Sequence, residues 1–388
     1  AMVSLPAAGL AQGTPRSLVR RPGVGGWGGD DPGYTMVRGQ AELIQDTSPL
    51  GQGAAQRTRC ERIREELSGV GAVLMLAYTG YTYNAIFLGQ ILPAEGRGRF
   101  APHFAVLFNT FLLMTAWSWL QSHMTDPGSV PERWRAFAQS AGHGLCVAPV
   151  RRQWQPGLST YCRRCSLLRP ERAHHCKVCN ICVLRMDHHC PFIKNCVGFN
   201  NQKHFILLLI YGAVLSFVGL ATTIPDLVKY ALSLIRQRVG DEWPSEDVGM
   251  VESWMFGAFG VIAALMTLLL SHMAFLHVPL AAFNQTQLEN GYDNMANPYD
   301  LGSSVKNLGQ VFGAPGVDWA FPIRPLYPLS DGIAFRRGDF DLVEDAPAED
   351  VGAAVTGERL WRIRYHVSAK PSDTGYDGPE TVCTGCLR

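Results

Sequence analysis

From residue 1 to about residue 57 the chain is built of Gly, Pro, Arg and small polar residues with no apolar run, as in Pro22-Gly23-Val24-Gly25-Gly26-Trp27-Gly28-Gly29. Such a segment cannot bury enough apolar surface to order itself and is predicted to be a flexible tail. Four apolar stretches follow, Val70–Leu92, Phe104–Leu120, Phe205–Ile224 and Trp254–Leu276. Each is close to the ~20 residues that carry a helix across a ~30 Å hydrocarbon layer. The second is the shortest and contains Asn109 and Thr110, so a buried core helix is its alternative, but its pairing with the first favours a span. After Leu276 the pattern becomes amphipathic, with a turn at Asn297-Pro298 and a short apolar cluster at Val311 and Phe312. Beyond Gly313 Pro, Gly and acidic residues rise again, and that part reads as mostly linker.

These patterns predict an all-α polytopic membrane protein with four transmembrane helices and a cysteine-rich segment between the second and third. Loop charge sets the orientation, because cytoplasmic loops carry the excess of Lys and Arg near span ends. Arg57, Arg59, Arg62 and Arg64 precede the first span, and the second-to-third connection carries Arg133, Arg135, Arg151, Arg152, Arg163, Arg164 and further basic residues. The loop after the first span has only Arg97 and Arg99, and the loop after the third offsets its cations with acids. Both termini and the cysteine segment are therefore expected in the cytosol. The resulting organisation is a tail (1–57), spans one and two (58–128), a cytosolic cysteine-rich segment (129–204, core 162–205), spans three and four (205–280), a docking segment (281–313) and a flexible tail (314–388).

Composition agrees with this: charged residues are 17% of the 388, below the roughly 25% of a soluble domain, while the apolar fraction is 47%. The net charge of +1 argues against a nucleic-acid binder. Seven of the eleven cysteines (Cys162, Cys165, Cys176, Cys179, Cys182, Cys190 and Cys196) fall in one short window with interleaved histidines. Without an apolar leader in residues 1–57 a secreted disulfide scaffold is disfavoured, and clustered thiols in a reducing compartment point to metal.

From Cys162 the spacing reads C-x2-C-x9-H-C-x2-C-x2-C-x4-D-H-H-C-x5-C. Zinc takes four tetrahedral thiolate or imidazole ligands, and paired C-x2-C turns present two sulfurs to one ion. Two sites of three Cys and one His use six of the seven thiols and leave one over. Cys190 is the candidate for the free thiol, since His188 can act as its base and Asp187 can orient that imidazole. His188 and His189 are adjacent, and one must serve the thiol while the other closes a metal site; spacing alone leaves open which.

The segment resembles the cysteine-rich domain of the Asp-His-His-Cys protein S-acyltransferases, the palmitoyltransferases, from Cys162 through Asn201 and Phe205 and more weakly over the spans and on to Gly313. The resemblance implies one zinc on Cys162, Cys165, His175 and Cys182 and a second on Cys176, Cys179, His189 and Cys196. It implies Cys190 as the acyl-accepting nucleophile, His188 as base and Asp187 as its partner. Asp126-Pro127-Gly128 resembles the family's Asp-Pro-Gly turn, and Asn297-Pro298-Tyr299 with Lys306-Asn307 before Val311-Phe312-Gly313 resembles its C-terminal docking motif. In Asn284-Gln285-Thr286-Gln287-Leu288-Glu289, Gln287 replaces the second Thr of the family's Thr-Thr-x-Glu motif, which puts the usual hydrogen bond to the active-site Asp in question, although a Gln amide also donates. Phe192 stands where many members have Trp and keeps an apolar contact for an acyl chain.

The expected reaction is ping-pong transfer of a long-chain acyl group, palmitoyl above all, from acyl-CoA to Cys190 and then to cysteines of cytosol-facing or membrane-associated substrate proteins. The expected partners are thus the bilayer, acyl-CoA and those proteins, with no nucleic acid. A Golgi or endoplasmic reticulum membrane is what the family suggests, with the plasma membrane as the alternative. Arg163, Arg164 or Lys194 are candidates for CoA phosphates, though solvated charge is their commoner fate. His272 and His277 read as helix-end packing, Cys60 as a weak juxtamembrane acylation candidate, and Cys383 and Cys386 as unpaired tail thiols. The rivals are a membrane-anchored zinc adaptor without chemistry and a pseudoenzyme; a transporter would need buried ionisable residues in paired broken helices, which the spans do not offer.

Overall fold

A computed structural model of the chain describes residues 59–236, 248–338 and 357–367. Expectations for residues 1–57 and for Cys383 and Cys386 lie outside the described residues, as does the side chain of Cys60. Helix α1 (Arg59–Tyr81) continues into a π-helical stretch, Thr82–Ile91, and a last turn, Leu92–Ala94. Then come α2 (Ala101–Met124) and a short amphipathic α3 (Glu132–Ala141), followed by seven short strands: β1 (Val147–Ala148), β2 (Ser159–Cys162), β3 (Leu167–Arg169), β4 (His174–Cys176), β5 (Ile181–Val183), β6 (His188–Cys190) and β7 (Asn195–Val197). Two long helices, α4 (Gln202–Arg236) and α5 (Met250–Ala282), precede α6 (Ser304–Phe312) and α7 (Glu358–Arg364).

Among the described residues three helices, α2, α4 and α5, are long and apolar enough to cross a membrane. The first of the four expected stretches is not among them; its helix begins with Arg59, Glu61, Arg62, Arg64, Glu65 and Glu66 and changes register at Thr82. That stretch is nonetheless helical, and its π-helical part packs inside the bundle: Tyr83, Ile86 and Phe87 are buried with Phe108, Leu215, Phe256 and Phe259. Leu74, Val106, Leu113, Phe217, Val261, Leu268 and Phe275 stay exposed on the outer faces, the arrangement expected when hydrocarbon is the solvent. Helices α4 and α5 approach closely across glycines; a Cβ on Gly260 would come 2.6 Å from Leu227, and one on Gly212 2.8 Å from Leu270.

The all-α expectation fails between α2 and α4. There the chain forms a three-stranded sheet, β1-β2-β3, and two hairpins, β4-β5 and β6-β7. Strands of two to four residues are too short to write an alternating apolar pattern. They form because two C-x2-C turns and the related Cys190–Ile193 turn reverse the chain, with the non-glycine residues Ser166, Asn180 and Lys194 in left-handed conformation (φ 49°, 57° and 52°) closing the three reversals.

A second difference lies beyond Gly313, read as linker. The described parts, 314–338 and 357–367, are packed. Ile333, Ala334 and Phe335 are buried, and Trp361 of α7 sits edge-on to Trp134 and Phe137 of α3. Arg364 makes a two-pronged pair with Glu171 at 2.7 and 2.6 Å, both side chains buried, while the Tyr365 hydroxyl accepts from the Glu171 backbone N–H. Polar and charged residues there look like solvated linker in sequence but find partners on the cysteine-rich segment.

Candidate active site and metal centres

The strands write one geometric rule three times. Cys162, Cys176 and Cys190 recur every 14 residues and mark three units; a His precedes the second and third, a ligand Cys follows the first and second by three residues, and a ligand Cys follows the second and third by six. Cross-strand register pairs His175 with Cys182 and His189 with Cys196. The donor atoms of Cys162, Cys165, His175 and Cys182 lie within 4.8 Å of one another, as do those of Cys176, Cys179, His189 and Cys196. Each cluster thus takes two thiols from one unit and a His and a thiol from the next. Cys190 opens the third unit, but Ile193 stands where its C-x2-C partner would be and no fourth unit follows. The odd thiol is therefore Cys190, and the repeat that identifies it was present in the sequence as a 14-residue period.

Both clusters have the dimensions of a tetrahedral metal site. A zinc–thiolate bond of ~2.3 Å and a zinc–imidazole bond of ~2.0 Å place neighbouring sulfur and nitrogen about 3.6 Å apart. His175 Nδ1 is 3.6, 3.2 and 3.9 Å from the sulfurs of Cys162, Cys165 and Cys182. His189 Nδ1 is 3.7, 3.4 and 3.6 Å from those of Cys176, Cys179 and Cys196. The donor set and spacing fit a thiophilic divalent ion, and both clusters could hold one.

The strand places His188 and His189 on opposite faces. Successive side chains on β6 point to opposite faces, so His189 turns into the second cluster while His188 and Cys190 share the other face. His188 Nδ1 lies 2.6 Å from Asp187 Oδ2, which leaves its other ring nitrogen to face the hydrogen-bonded Cys190 thiol. Burial raises the thiol pKa, but the His188 hydrogen bond and the Ile193 and Phe192 backbone N–H groups outweigh it, so Cys190 lies below the ordinary thiol value. Burial likewise opposes charge on His188, yet Asp187 and Cys190 lift it to about 9. Asp187 is 1% exposed; burial favours its neutral form, and the His188 hydrogen bond and charge hold it below the usual carboxylate range.

Asp187 has further partners. Its Oδ1 accepts from the backbone N–H of Gln287 at 2.8 Å, so the bond that the missing Thr put in question is made by the main chain instead of the Gln amide. The loop is fixed by Glu289, whose carboxylate accepts from Thr286 N–H (3.0 Å) and pairs with Arg172 at 2.7 Å through both oxygens, all three residues being buried. His277 of α5, expected to pack at a helix end, instead brings Nδ1 to 3.4 Å from Asp187 Oδ2. A lone His in the last turns of an apolar span gave no signal of this.

The loop after Cys190 is tied to the helices. Trp119 Nε1 donates to the Phe192 carbonyl and His123 Nδ1 meets the Ile193 carbonyl, from α2; Ser68 of α1 donates to the Pro191 carbonyl. Asn195 Nδ2 donates to the carbonyls of Ser122, His123 and Thr125 at the end of α2. Cys190 thereby faces an apolar wall of Phe205, Leu209, Leu270 and Met273 on α4 and α5. The Asp126-Pro127-Gly128 turn docks from the other side, with Gly128 at φ 112° and its carbonyl accepting from Leu184 N–H. Asn307 Nδ2 donates to the Ala282 carbonyl and so fastens α6 to the end of α5. Phe192 is exposed, Arg163 and Arg164 are exposed, and Lys194 is engaged by Glu66 of α1.

Fold and site together define a membrane protein in which a thiol with a lowered pKa is held at the helix ends by a small domain whose two Cys/His clusters could bind metal. The family model described as DHHC palmitoyltransferase matches residues 156–293. Relatives include a probable protein S-acyltransferase 12 of Arabidopsis thaliana, 32% identical over 65% of this chain and 85% of the relative. They also include human palmitoyltransferase ZDHHC2, 30% identical over 74% of this chain and 80% of the relative, and mouse ZDHHC20, 27% identical over 71% and 78%. The chain belongs to the DHHC palmitoyltransferase family and is an acyltransferase of the protein S-acyltransferase type.

Proposed function

We propose that this protein moves a long-chain acyl group, palmitoyl foremost, from acyl-CoA to cysteines of membrane-associated proteins through a thioester on Cys190. The supporting observation is the Asp187–His188–Cys190 line, buried at Asp187 and Cys190, in which a lowered thiol pKa coincides with an apolar wall fit for an acyl chain. The Cys190 thiolate attacks the acyl carbonyl, the carbon–sulfur bond to CoA breaks, and the departing CoA thiolate takes the proton held by His188. In the second half-reaction the substrate thiol gives its proton to His188 and attacks the Cys190 thioester, and Cys190 leaves as thiolate. Asp187 balances the positive charge that His188 holds in the resting thiolate–imidazolium pair, a charge given up with CoA and regained from the substrate thiol.

Zinc is the ion that the two Cys3His sets suit, with Cys162, Cys165, His175 and Cys182 holding one and Cys176, Cys179, His189 and Cys196 the other; it would supply cross-links for hairpins too small to stand alone. Burial of the tail methylenes, at ~0.8 kcal/mol each, dominates acyl-donor affinity. Four passes, cytosolic termini and an endomembrane location complete the reading. Detergent-purified protein is incubated with a clickable palmitoyl-CoA analogue. Hydroxylamine-sensitive label is expected on wild type, absent from Cys190→Ser and strongly slowed in His188→Ala; unlabelled wild type with about two zinc ions per chain would instead support an adaptor.

A further inference from the structure

Asp187 is the hub of the site, and one of its neighbours belongs to none of the motifs in the cysteine-rich segment. His277 sits on α5, is 6% exposed, and brings Nδ1 to 3.4 Å from Asp187 Oδ2, the same oxygen that faces His188 at 2.6 Å. Its ring also contacts those of His188 and Phe205, each with centroids 5.2 Å away. Asp187, His188 and His277 thus form a three-membered cluster, with the remaining carboxylate oxygen taken by the Gln287 N–H.

We infer that His277 is a positioning residue for acyl transfer, fixing the Asp187 carboxylate through Nδ1 so that Oδ2 stays aimed at His188. The inference rests on the assignment of Cys190, His188 and Asp187 above. Without His277, Oδ2 has His188 as its one side-chain partner, and the Gln287 N–H on Oδ1 is the one contact independent of His188 that keeps the carboxylate from rotating. His188 then loses the orientation that directs its other nitrogen at the thiol, and a displacement of ~1 Å at such a site costs as much as ~100-fold in rate. His277 makes this contact from the element that also walls the acyl site through Leu270 and Met273, so the seating of α5 and the aim of the base are mechanically joined.

The geometry makes a distinction that packing alone does not. An Asn amide nitrogen occupies nearly the place of a His Nδ1, whereas Phe keeps the ring and its contacts but carries no donor. The test uses full-length protein in detergent, with Cys190 loading by a clickable palmitoyl-CoA followed in single turnover against acyl-CoA concentration. Thermal midpoint and zinc content are measured on the same samples. His277→Phe is expected to slow the saturated loading rate roughly 10- to 100-fold with little change in half-saturating donor concentration, and His277→Asn to recover most of it. A His277→Phe protein that loads at the wild-type rate overturns the inference, as does a His277→Asn protein that folds, keeps its zinc and is as slow as Phe. Cys190→Ser, run alongside, separates the two readings: if it still takes up thioester label the nucleophile is misassigned, whatever His277 does.

Discussion

Arg364 lies on a seven-residue helix outside the segment that matches the family, yet its guanidinium is buried against the cysteine-rich domain. Replacing it with Met keeps the aliphatic volume and removes the charge. Glu171, itself 3% exposed, then loses the bonds at 2.7 and 2.6 Å and retains the Tyr299 hydroxyl at 2.9 Å, Gly157 N–H at 2.7 Å and Phe335 N–H at 3.4 Å. A buried carboxylate stripped of its cation costs about 3–5 kcal/mol, and three remaining donors place this case near the lower end. At that size the thermal midpoint of the detergent-solubilised protein should fall by at least about 5 °C. Cleavage by a dilute protease within residues 357–367 should quicken in parallel, because α7 loses its charged anchor. Adding Glu171→Gln to Arg364→Met should recover part of the loss, since a neutral amide no longer demands a cation. A midpoint within about 1 °C of wild type for Arg364→Met would show that α7 is not docked as described and that the pair carries no net stability.

Gln287→Ala should leave Cys190 loading within about threefold of wild type, because Asp187 is held by the main-chain N–H, whereas Gln287→Pro removes that donor and should reduce loading at least roughly tenfold; equal effects of the two would refute the backbone assignment. Cys196→Ala should drop metal content, read by atomic emission, from about two ions per chain to about one and abolish loading, since β6 carries His189 of the second cluster beside the proposed nucleophile and pairs with Cys196 on β7. Alkylation of Cys190 by iodoacetamide should already be fast near pH 7 and decline as pH falls, because its pKa lies below the ordinary thiol value; in His188→Ala it should be slow near pH 7 and rise through the alkaline range, and superimposable profiles would exclude a thiolate–imidazolium pair.

Much of this was legible without coordinates. Three spans stand out because lipid demands uninterrupted apolar length, and metal ligands stand out because Cys and His at fixed spacing have few other uses. The first stretch was less legible, since its π-helical register change is tied to packing against α2, α4 and α5 and leaves no mark in hydropathy. The short strands left no period to read. Positions 314–338 and 357–367 looked like linker because a buried Arg is indistinguishable in sequence from a solvated one until its Glu171 is known.

The sequence by itself determined the inventory: enough clustered Cys and His for two Cys3His sets with one thiol over, and a His and an Asp beside Cys190, because ligand spacing is one-dimensional information. Tertiary structure alone decided the aim of that chemistry. The β6 alternation sends His188 and His189 apart, a backbone N–H of Gln287 replaces a missing hydroxyl, and α5 delivers His277 to Asp187 across 90 residues of chain. Orientation of buried polar groups depends on who arrives from elsewhere in the fold, and no local pattern records that.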